Sequence, residues 1–301
     1  MRQHLTAVRA AAEVSGANVQ DASLRSQELT FAPGMPRPGA YAFDVGTAGS
    51  TTLVLQTVLP PLLLSAAPST LTLEGGTHNP YAPPFDFLQR VFLPLIQRMG
   101  PRLSAALQRP GFFPAGGGLS TFTIRPVERL EPIELHERGT VRNVRVRAMI
   151  ARLPRHIAQR EVETVRTRLQ PIDIDAETTE VTTSRGPGNV VTIEIESELV
   201  TELFTGFGQR GVRAETVAEN VATAARRYLD ADVPVGEHLA DQLLLPLAVA
   251  GQGSFRTQHL TRHAETNLHV IERFLGPRIE LARRPDGTVL VRGRGGHLPL
   301  R

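Results

Sequence analysis

The stretch TVLPPLLL (residues 57–64) places a Leu-Pro pair inside a strongly apolar, helix-like run. The same feature returns in VFLPLIQR (residues 91–98) and in LLLPLAVA (residues 243–250). Each of the three is followed by a short strand-like segment, and these segments read TLTLE, RLSAAL and SFRTQ. Because proline inside a helix normally destabilises it, this recurrence predicts internal repeats of one α/β unit. Chance recurrence of so short a motif is the alternative.

Around these stretches, helix-like and strand-like segments alternate along the chain, which is typical of the α/β or α+β class. The predicted helices cover residues 3–14, 52–64, 84–99, 157–169, 212–228 and 265–275, and a further apolar helix begins near Gly236. The predicted strands cover residues 28–31, 41–45, 71–74, 103–107, 119–124, 141–150, 172–181, 190–199 and 254–258. Gly16 is expected to end the first helix, and the hydroxyl side chains of GTAGSTT are expected to begin the second.

The 301-residue chain contains no Cys and no Lys, so all 33 basic side chains are Arg. The lack of Cys excludes a thiol nucleophile, disulfides and Cys-ligated zinc. The lack of Lys excludes a P-loop nucleotide site and any enzyme that carries a nucleotide on a lysine amine. Guanidinium binds phosphate in a bidentate manner, so the composition suits phosphate-bearing partners. With a net charge of only +3, a general coding preference for Arg explains it equally well.

The longest apolar run, residues 53–67, is interrupted by Gln56 and two prolines. It is too short and too broken to span a bilayer, so it is interpreted as a buried core helix. The N-terminal RQHLTAVRAAAEV has the pattern of an amphipathic helix and not of a signal peptide. We therefore expect a cytoplasmic location and no membrane partner.

Residues 139–232 differ from the rest, because their strand-like segments alternate apolar and polar residues. They are predicted to form a small α/β domain inserted into a larger one. Within them GFGQRG (residues 206–211) matches the GxGxxG pattern of dinucleotide sites, with Asp230 downstream. The preceding strand has one polar face, however, and Asp230 follows helical sequence. We interpret the motif as a glycine-rich structural turn.

The segment GGTHNPYAPPFDF (residues 75–87) joins a predicted strand to a predicted helix through two glycines and three prolines. Regular packing needs no such sequence, whereas a loop that keeps an unusual path beside a ligand does. Its histidine, His78, is expected to face solvent, and contact between His78 and a ligand is the alternative.

The C-terminal half carries the most suggestive chemistry. Residues 236–242 form the head of an apolar helix, and helix N-termini suit phosphate groups. After the strand at residues 254–258 come His259 and His263, with Arg256 and Arg262 nearby in sequence. Adjacent positive charge would favour neutral imidazole, which is a nucleophile, and arginines could hold the phosphates that it attacks. Since the chain has nine His residues, a surface or packing role for His263 stays open.

Four segments together resemble the RNA 3′-terminal phosphate cyclases, and the resemblance extends over essentially the whole chain. They are GGTHNPYAPPFDFLQRVFLPLIQRMG, GFFPAGGG, GEHLADQLLLP and RHAETN. The resemblance implies an α/β (α+β) fold of repeated βαβαββ-like units. The core domain would comprise residues 1–138 and 233–301, with 139–232 as the small inserted domain.

The resemblance also implies an ATP-dependent reaction on RNA that carries a 3′-terminal phosphate. A histidine takes AMP from ATP, passes it to the RNA phosphate, and the neighbouring 2′-hydroxyl then closes a 2′,3′-cyclic phosphodiester. The nucleophile matches His263, and a divalent cation (Mg²⁺ or Mn²⁺) would accompany ATP. The implied adenylate contacts are Gln56, Pro83, His238, Leu239, Ala240, Asp241 and Gln242.

One departure from the family pattern is large. Family members begin with a strand and a GxGEGGG turn, whereas Met1 here falls where the family is already in its RQHLTAV helix. We expect a fragment or a misplaced start, so a truncated, inactive paralogue is one alternative function. A cyclase-like factor in RNA processing is another, but such proteins lack the histidine. An enolpyruvyl transferase is disfavoured because its site uses lysines.

Overall fold

The computed structural model describes residues 1–296 and 298, and its architecture is mixed α/β, as predicted. The helices are α1 (Arg2–Ser15), α2 (Thr51–Leu63), α3 (Phe85–Phe87), α4 (Leu93–Arg98), α5 (His156–Leu169), α6 (Ala214–Ala231), α7 (Glu237–Ala250) and α8 (Arg262–Leu275). The strands are β1 (Asn18–Gln20), β2 (Thr30–Ala32), β3 (Ala40–Asp44), β4 (Ser69–Gly75), β5 (Arg102–Arg109), β6 (Gly118–Arg125), β7 (Glu134–Leu135), β8 (Val141–Ala151), β9 (Asp175–Glu180), β10 (Gly188–Ser197), β11 (Thr201–Phe207), β12 (Ser254–Thr257), β13 (Ile279–Arg283) and β14 (Val289–Gly293).

Two sheets of the core have the same topology. One has the strand order β3-β4-β6-β5, and the other has the order β7-β12-β14-β13. In both, the first two strands are parallel and the last two form an antiparallel hairpin beside the second strand. The first two strands are joined through α2 in one unit, and through residues 139–232 followed by α7 in the other. The chain therefore contains two βαβαββ units, which confirms the predicted repeat.

The Leu-Pro motif marks the repeat only in part. Pro60 lies in α2 and Pro246 in α7, and these are the first helices of their units. Pro94 lies at the start of α4, in the second helical segment of the first unit. The helix predicted over residues 84–99 is continuous, but Leu88–Phe92 between α3 and α4 is π-helical. Pro94 has no N–H to donate to the carbonyl four residues earlier, which accounts for the wider turn there.

The N-terminal elements repeat the end of the unit. Helix α1 is followed by the antiparallel hairpin β1–β2, the same α-β-β order that closes both complete units. Gly16 caps α1 with φ of 57°, as predicted. Ser50 caps α2 by accepting a hydrogen bond from the Leu53 N–H at 3.3 Å, which confirms the hydroxyl cap.

Between β7 and α7 lies a separate sheet with the order β11-β10-β8-β9, covered by α5 and α6. Its hydrophobic core is distinct from the one that the two repeated units share. Residues 206–211 comprise the end of β11 and most of the turn before α6, but β11 pairs antiparallel with β10, and α6 leads to α7 and not to a parallel strand. The βαβ unit of a dinucleotide site is therefore not formed there. Residues 139–232 stay our proposal for the limits of the inserted domain.

Helix α2, which contains most of the long apolar run, is a core element: Val54, Leu55, Val58 and Leu62 are fully buried. Within residues 1–296 and 298, no helix combines the length and apolar character needed to cross a membrane.

A buried carboxyl group in the inserted segment makes stability depend on pH. Glu161 on α5 is completely buried, one of its oxygens accepts a hydrogen bond from Asn189 Nδ2 at 2.8 Å, and the other has no partner. Burial raises the pKa of Glu161 from 4.5 to about 7, and the hydrogen bond from Asn189 offsets this only in part. Between these values the folded state retains a proton that the unfolded chain releases, so stability falls as pH rises from 4.5 to 7.

We expect Glu161→Gln to unfold at a higher temperature than the parent at pH 8 and to show no such gain at pH 4.5. A pKa rise from 4.5 to about 7 corresponds to about 3 kcal/mol of unfolding free energy as an upper limit. Thermal denaturation at both pH values measures it, and Glu163→Gln on the exposed side of α5 is the control. An equal shift at both pH values would contradict the assignment of the proton to Glu161.

Candidate active site

A cavity of about 390 Å³ lies between α2, α7 and α8, so both repeated units contribute to it. Each helix supplies one face, with lining residues spaced three or four apart. Helix α2 supplies Leu53, Gln56, Leu59, Pro60 and Leu63; α7 supplies Asp241, Gln242, Leu245, Pro246 and Val249; α8 supplies His263, Thr266, Asn267 and Val270. The wall is mainly apolar and its polar groups are few, which is the character of a small-molecule site.

His263 lies in the first turn of α8, at the mouth of this cavity. The helix begins after Thr261, whose side chain accepts a hydrogen bond from the Ala264 N–H at 3.1 Å. The His263 side chain is 82% exposed, so its ring is accessible to a large ligand. The free N–H groups of the same helical turn offer a positive end for phosphate.

The imidazole of His263 is held by a carboxylate. Its Nδ1 lies 2.9 Å from Asp241 Oδ2, and the Asp241 side chain is only 10% exposed. Asn267 Nδ2 donates to the other carboxylate oxygen of Asp241 at 3.1 Å and to its main-chain oxygen at 3.2 Å. A carboxylate only accepts hydrogen bonds, so its position beside Nδ1 favours the ring hydrogen there and the lone pair on Nε2. The arrangement presents Nε2 as a nucleophile.

The structure corrects the prediction for one of the two arginines expected beside His263. Arg256 does not flank the ring, because its guanidinium donates to the main-chain oxygens of His136 and Asp232 at 2.9 and 2.6 Å. The nearest charged partner is Asp241 on a different helix. The prediction is therefore wrong for Arg256, and it did not foresee the carboxylate of Asp241 beside the ring.

Two of the Leu-Pro motifs form part of the cavity wall. Pro60 and Pro246 both line it, at equivalent helices of the two units. Because proline has no N–H, the carbonyl groups of Gln56 and Gln242, four residues earlier on the same faces, lack their usual helical donors. Both carbonyl groups belong to residues that line the cavity.

The conformation of the glycine- and proline-rich loop, residues 75–87, is fixed by close packing and by buried hydrogen bonds. Gly76 has no room for a side chain, since a Cβ would collide with the Ala48 carbonyl oxygen. His78 is buried, with Nε2 2.8 Å from Asp86 Oδ2 and Nδ1 2.8 Å from Thr77 Oγ1. Burial tends to raise the pKa of Asp86, but the hydrogen bond and charge of His78 lower it overall. The expectation that His78 faces solvent is wrong, because its two ring nitrogens have buried partners.

Residues 1–281 match the family model described as RNA 3′-terminal phosphate cyclase. The chain belongs to the RNA 3′-terminal phosphate cyclase family. A relative of that name from Koribacter versatilis is 52% identical over 286 residues, which is 95% of this chain and 81% of the relative. One from Pseudomonas fluorescens is 52% identical over 287 residues, 93% of this chain and 82% of the relative. One from Ralstonia nicotianae is 49% identical over 291 residues, 96% of this chain and 83% of the relative.

Of the adenylate contacts expected from the cyclase family, the structure brings three to the cavity. Gln56, Asp241 and Gln242 line it together with His263. The other expected contacts do not line it with their side chains, and they are Pro83, His238, Leu239 and Ala240.

The reasons differ between these positions. Leu239 and Ala240 point into the core and are fully buried, while the His238 side chain is 82% exposed beside Glu237. Pro83 lies half-buried in the loop outside the cavity wall. At Leu239, whose side chain is buried, the main-chain N–H at the start of α7 is the group suited to a ligand, and at His238 both the main-chain N–H and the exposed imidazole are.

Sequence reasoning missed Asn267 as a site residue. It follows His263 by one helical turn on the same face of α8, and this spacing was the available signal. Its side chain fixes Asp241, which in turn fixes His263.

The described residues contain no cluster of three or more His, Asp or Glu side chains suited to a metal ion. Asp241, the acidic group in the cavity wall, already accepts from Asn267 and faces His263. The part of the chain that the structure describes therefore does not fit a metal centre held by protein ligands alone.

Proposed function

We propose that the protein converts a 3′-terminal phosphate of RNA into a 2′,3′-cyclic phosphodiester at the expense of ATP. The observation that carries the proposal is the exposed His263, oriented through Nδ1 by Asp241 at the mouth of a cavity of nucleotide size. Membership in the cyclase family supports the same activity. The reading as a cyclase-like RNA-processing factor is disfavoured because such proteins lack this histidine, and here it is present with its partner.

In the first step the Nε2 lone pair of His263 attacks the α-phosphorus of ATP. The bond from that phosphorus to the bridging oxygen breaks, and pyrophosphate leaves with the electron pair. The ring then carries AMP through an N–P bond and is positively charged, and the Asp241 carboxylate at Nδ1 stabilises this charge. A protonated phosphoramidate is a good leaving group, so the AMP remains transferable.

In the second step an oxygen of the RNA 3′-phosphate attacks the same phosphorus, and the N–P bond breaks back to His263. The RNA end then carries AMP in a phosphoanhydride. In the third step the 2′-hydroxyl attacks the RNA phosphorus, loses its proton and expels AMP. The products are the cyclic phosphodiester and AMP, and the imidazole returns to its starting state.

The base of ATP is placed in the apolar part of the cavity in this proposal. The main-chain oxygens of Gln56 and Gln242, released by Pro60 and Pro246, are acceptors suited to the amino group of adenine. The family-based contacts Gln56, Pro83, His238, Leu239, Ala240, Asp241 and Gln242 stay part of the proposal. Within the segment 238–242, the main-chain N–H groups of His238 and Leu239 precede the first helical hydrogen bond of α7, from Ala240 to Gly236, and suit the phosphates.

We further propose Mg²⁺ or Mn²⁺ as the cation that accompanies ATP, because a divalent cation offsets the charge of the phosphates during the transfer. A cytoplasmic location, which cell fractionation would check, also stays a proposal.

The test uses an RNA oligonucleotide labelled in its 3′-terminal phosphate, with ATP and Mg²⁺ or Mn²⁺, and with EDTA as a comparison. We expect ATP to make the label resistant to phosphatase, because a cyclic diester is not a phosphatase substrate. An otherwise identical RNA with a terminal 2′-deoxynucleotide should accumulate the AMP-linked end, since it has no 2′-hydroxyl. Binding of RNA with neither product would instead favour the role of a processing factor.

A further inference from the structure

A second concavity, which we call the arginine groove, lies where the inserted segment meets the core. It is an open groove of about 570 Å³ between α5, α6 and the segment that follows β12. Its residues that carry polar side chains are Arg168, Thr223, Arg226, Arg227, Asp230 and Gln258. The cyclase scheme above uses none of them.

The groove is positively charged, with three arginines against Asp230. Arg168 is paired with Glu219. Among the described residues, no carboxylate lies within 4.0 Å of the Arg226 or Arg227 guanidinium. Arg226 Nη2 donates instead to the main-chain oxygen of Gln170 at 2.9 Å, which fixes its position while leaving its charge uncompensated. Two guanidinium groups are thus available to an anionic partner.

The groove is connected to the proposed nucleophile through a short segment. Gln258 lines the groove, and its Nε2 donates to the Arg227 main-chain oxygen at 2.8 Å. His263 follows Gln258 by five residues, which span at most about 17 Å even when fully extended. Between them His259 Nε2 lies 3.3 Å from Glu237 at the head of α7. The arginine groove and the mouth of the cavity therefore lie at the same end of β12.

The chemistry of the groove favours the backbone of a nucleic acid over its bases. Arginine binds phosphate in a bidentate manner, and base recognition in single strands needs aromatic platforms. The residues that line the groove include no aromatic side chain. An occupant would be held by charge and would be recognised with little regard to sequence.

We propose that the arginine groove binds the phosphodiester backbone of the RNA strand whose 3′-terminal phosphate reaches His263. The inference rests on the proposed function, because it takes RNA as the substrate of the same site. It adds a location for the strand and predicts weak sequence preference with strong dependence on salt.

The experiment separates the ATP step from the RNA step. Arg226→Gln/Arg227→Gln should form the AMP adduct from ATP alone at the parental rate, because the groove is outside the ATP cavity. Its KM for an RNA oligonucleotide with a 3′-phosphate should rise about tenfold or more at moderate salt. For single strands the slope of log KM against log salt changes by about 0.7 for each lost phosphate contact, so about 1.4 for two.

Arg102→Gln/Arg125→Gln is the matched control. These two arginines are exposed and face each other across β5 and β6, in the sheet of the first repeated unit. Replacing them removes the same charge as the groove variant. We expect unchanged KM and salt dependence for this control. The guanidinium of Arg227 has no hydrogen bond within the described residues, so Arg227→Gln should not disturb the fold. This single variant should show about half the change in salt slope, and it tests the proposal if the double variant is unstable.

A groove variant that still forms the AMP adduct but keeps the parental KM for RNA and the parental salt slope would contradict RNA binding in the groove. An equal loss of the ATP step in the double variant and in Arg227→Gln would also overturn it. If the parent protein itself fails to form an adduct with labelled ATP, the proposed function fails, and the two failures are thus distinguished.

Discussion

Replacing His263 by alanine is expected to abolish the covalent transfer of AMP from ATP to the protein. The side chain supplies the attacking Nε2, and the described cavity places no other histidine in its wall. Removal of the catalytic nucleophile costs about 10⁶-fold in rate in a serine protease, and a loss of that size puts the residual adduct below detection. The measurement uses ATP labelled on the α-phosphate with no RNA present, followed by denaturing gel electrophoresis. The parental adduct should be labile in acid, as expected of an N–P bond.

His269→Ala is the matched control for this experiment. His269 lies on the same helix, is exposed, and faces the main-chain oxygen of Glu265 at 2.7 Å instead of the cavity. It should form the adduct at the parental rate. An adduct that persists in His263→Ala, or one that is stable in acid but labile to hydroxylamine, would place the AMP on another side chain.

The repeated architecture could be predicted because local sequence patterns specify it. Alternating helix-like and strand-like runs specify the class, and the Leu-Pro pairs at Pro60 and Pro246 occur at equivalent helices. The pairing order of the strands is not local, because β7 meets β12 across the whole inserted segment. The order β7-β12-β14-β13 therefore could not be predicted from local sequence and is known from the structure. It has the same topology as the order β3-β4-β6-β5 of the first unit.

The strand topology, and not the polar face of a strand, shows that residues 206–211 do not form a dinucleotide site. The alternation over residues 190–199 predicts a sheet with one face open to solvent, but Thr192 on that face is buried and Glu194 pairs with Arg90. The structure pairs that sheet antiparallel through β10 and β11, so the motif was correctly set aside.

Side-chain contacts that the local sequence pattern does not specify explain the two wrong expectations. His78 was expected in solvent, but Asp86 lies eight residues on at the start of the following helix and accepts its hydrogen bond. Arg256 was placed beside His263 because it is near in sequence, although the strand directs it to the oxygens of His136 and Asp232. Side-chain direction on a strand alternates, so proximity along the chain does not specify contact.

Asp241 is an expected adenylate contact, and its position beside Nδ1 of His263 suggests a second role, the orientation of the ring. A substitution of Asp241 distinguishes the two roles. We expect Asp241→Asn to lower the maximal rate of AMP transfer by about 10²–10⁴-fold with little change in the KM for ATP. The amide can donate to Nδ1 of His263, which favours the tautomer with hydrogen on Nε2 and removes the attacking lone pair. The charge that stabilises the AMP-bearing ring is lost as well. Single-turnover kinetics over a range of ATP concentrations separate the two parameters.

The comparison variant is Gln56→Ala, which changes the cavity wall opposite to His263 and leaves the Asp241–His263 contact intact. It should raise the KM for ATP and leave the maximal rate within a few-fold of the parent. If Asp241→Asn behaves in the same way as Gln56→Ala, then Asp241 acts by contacting the nucleotide and not by orienting the ring. Thermal denaturation of both variants shows whether the fold is intact, since the change from Asp to Asn keeps the shape of the side chain and an acceptor for Asn267. A fall in maximal rate with an unchanged KM and melting temperature is the combination that only an orienting carboxylate produces, because a purely structural role would lower the melting temperature as well.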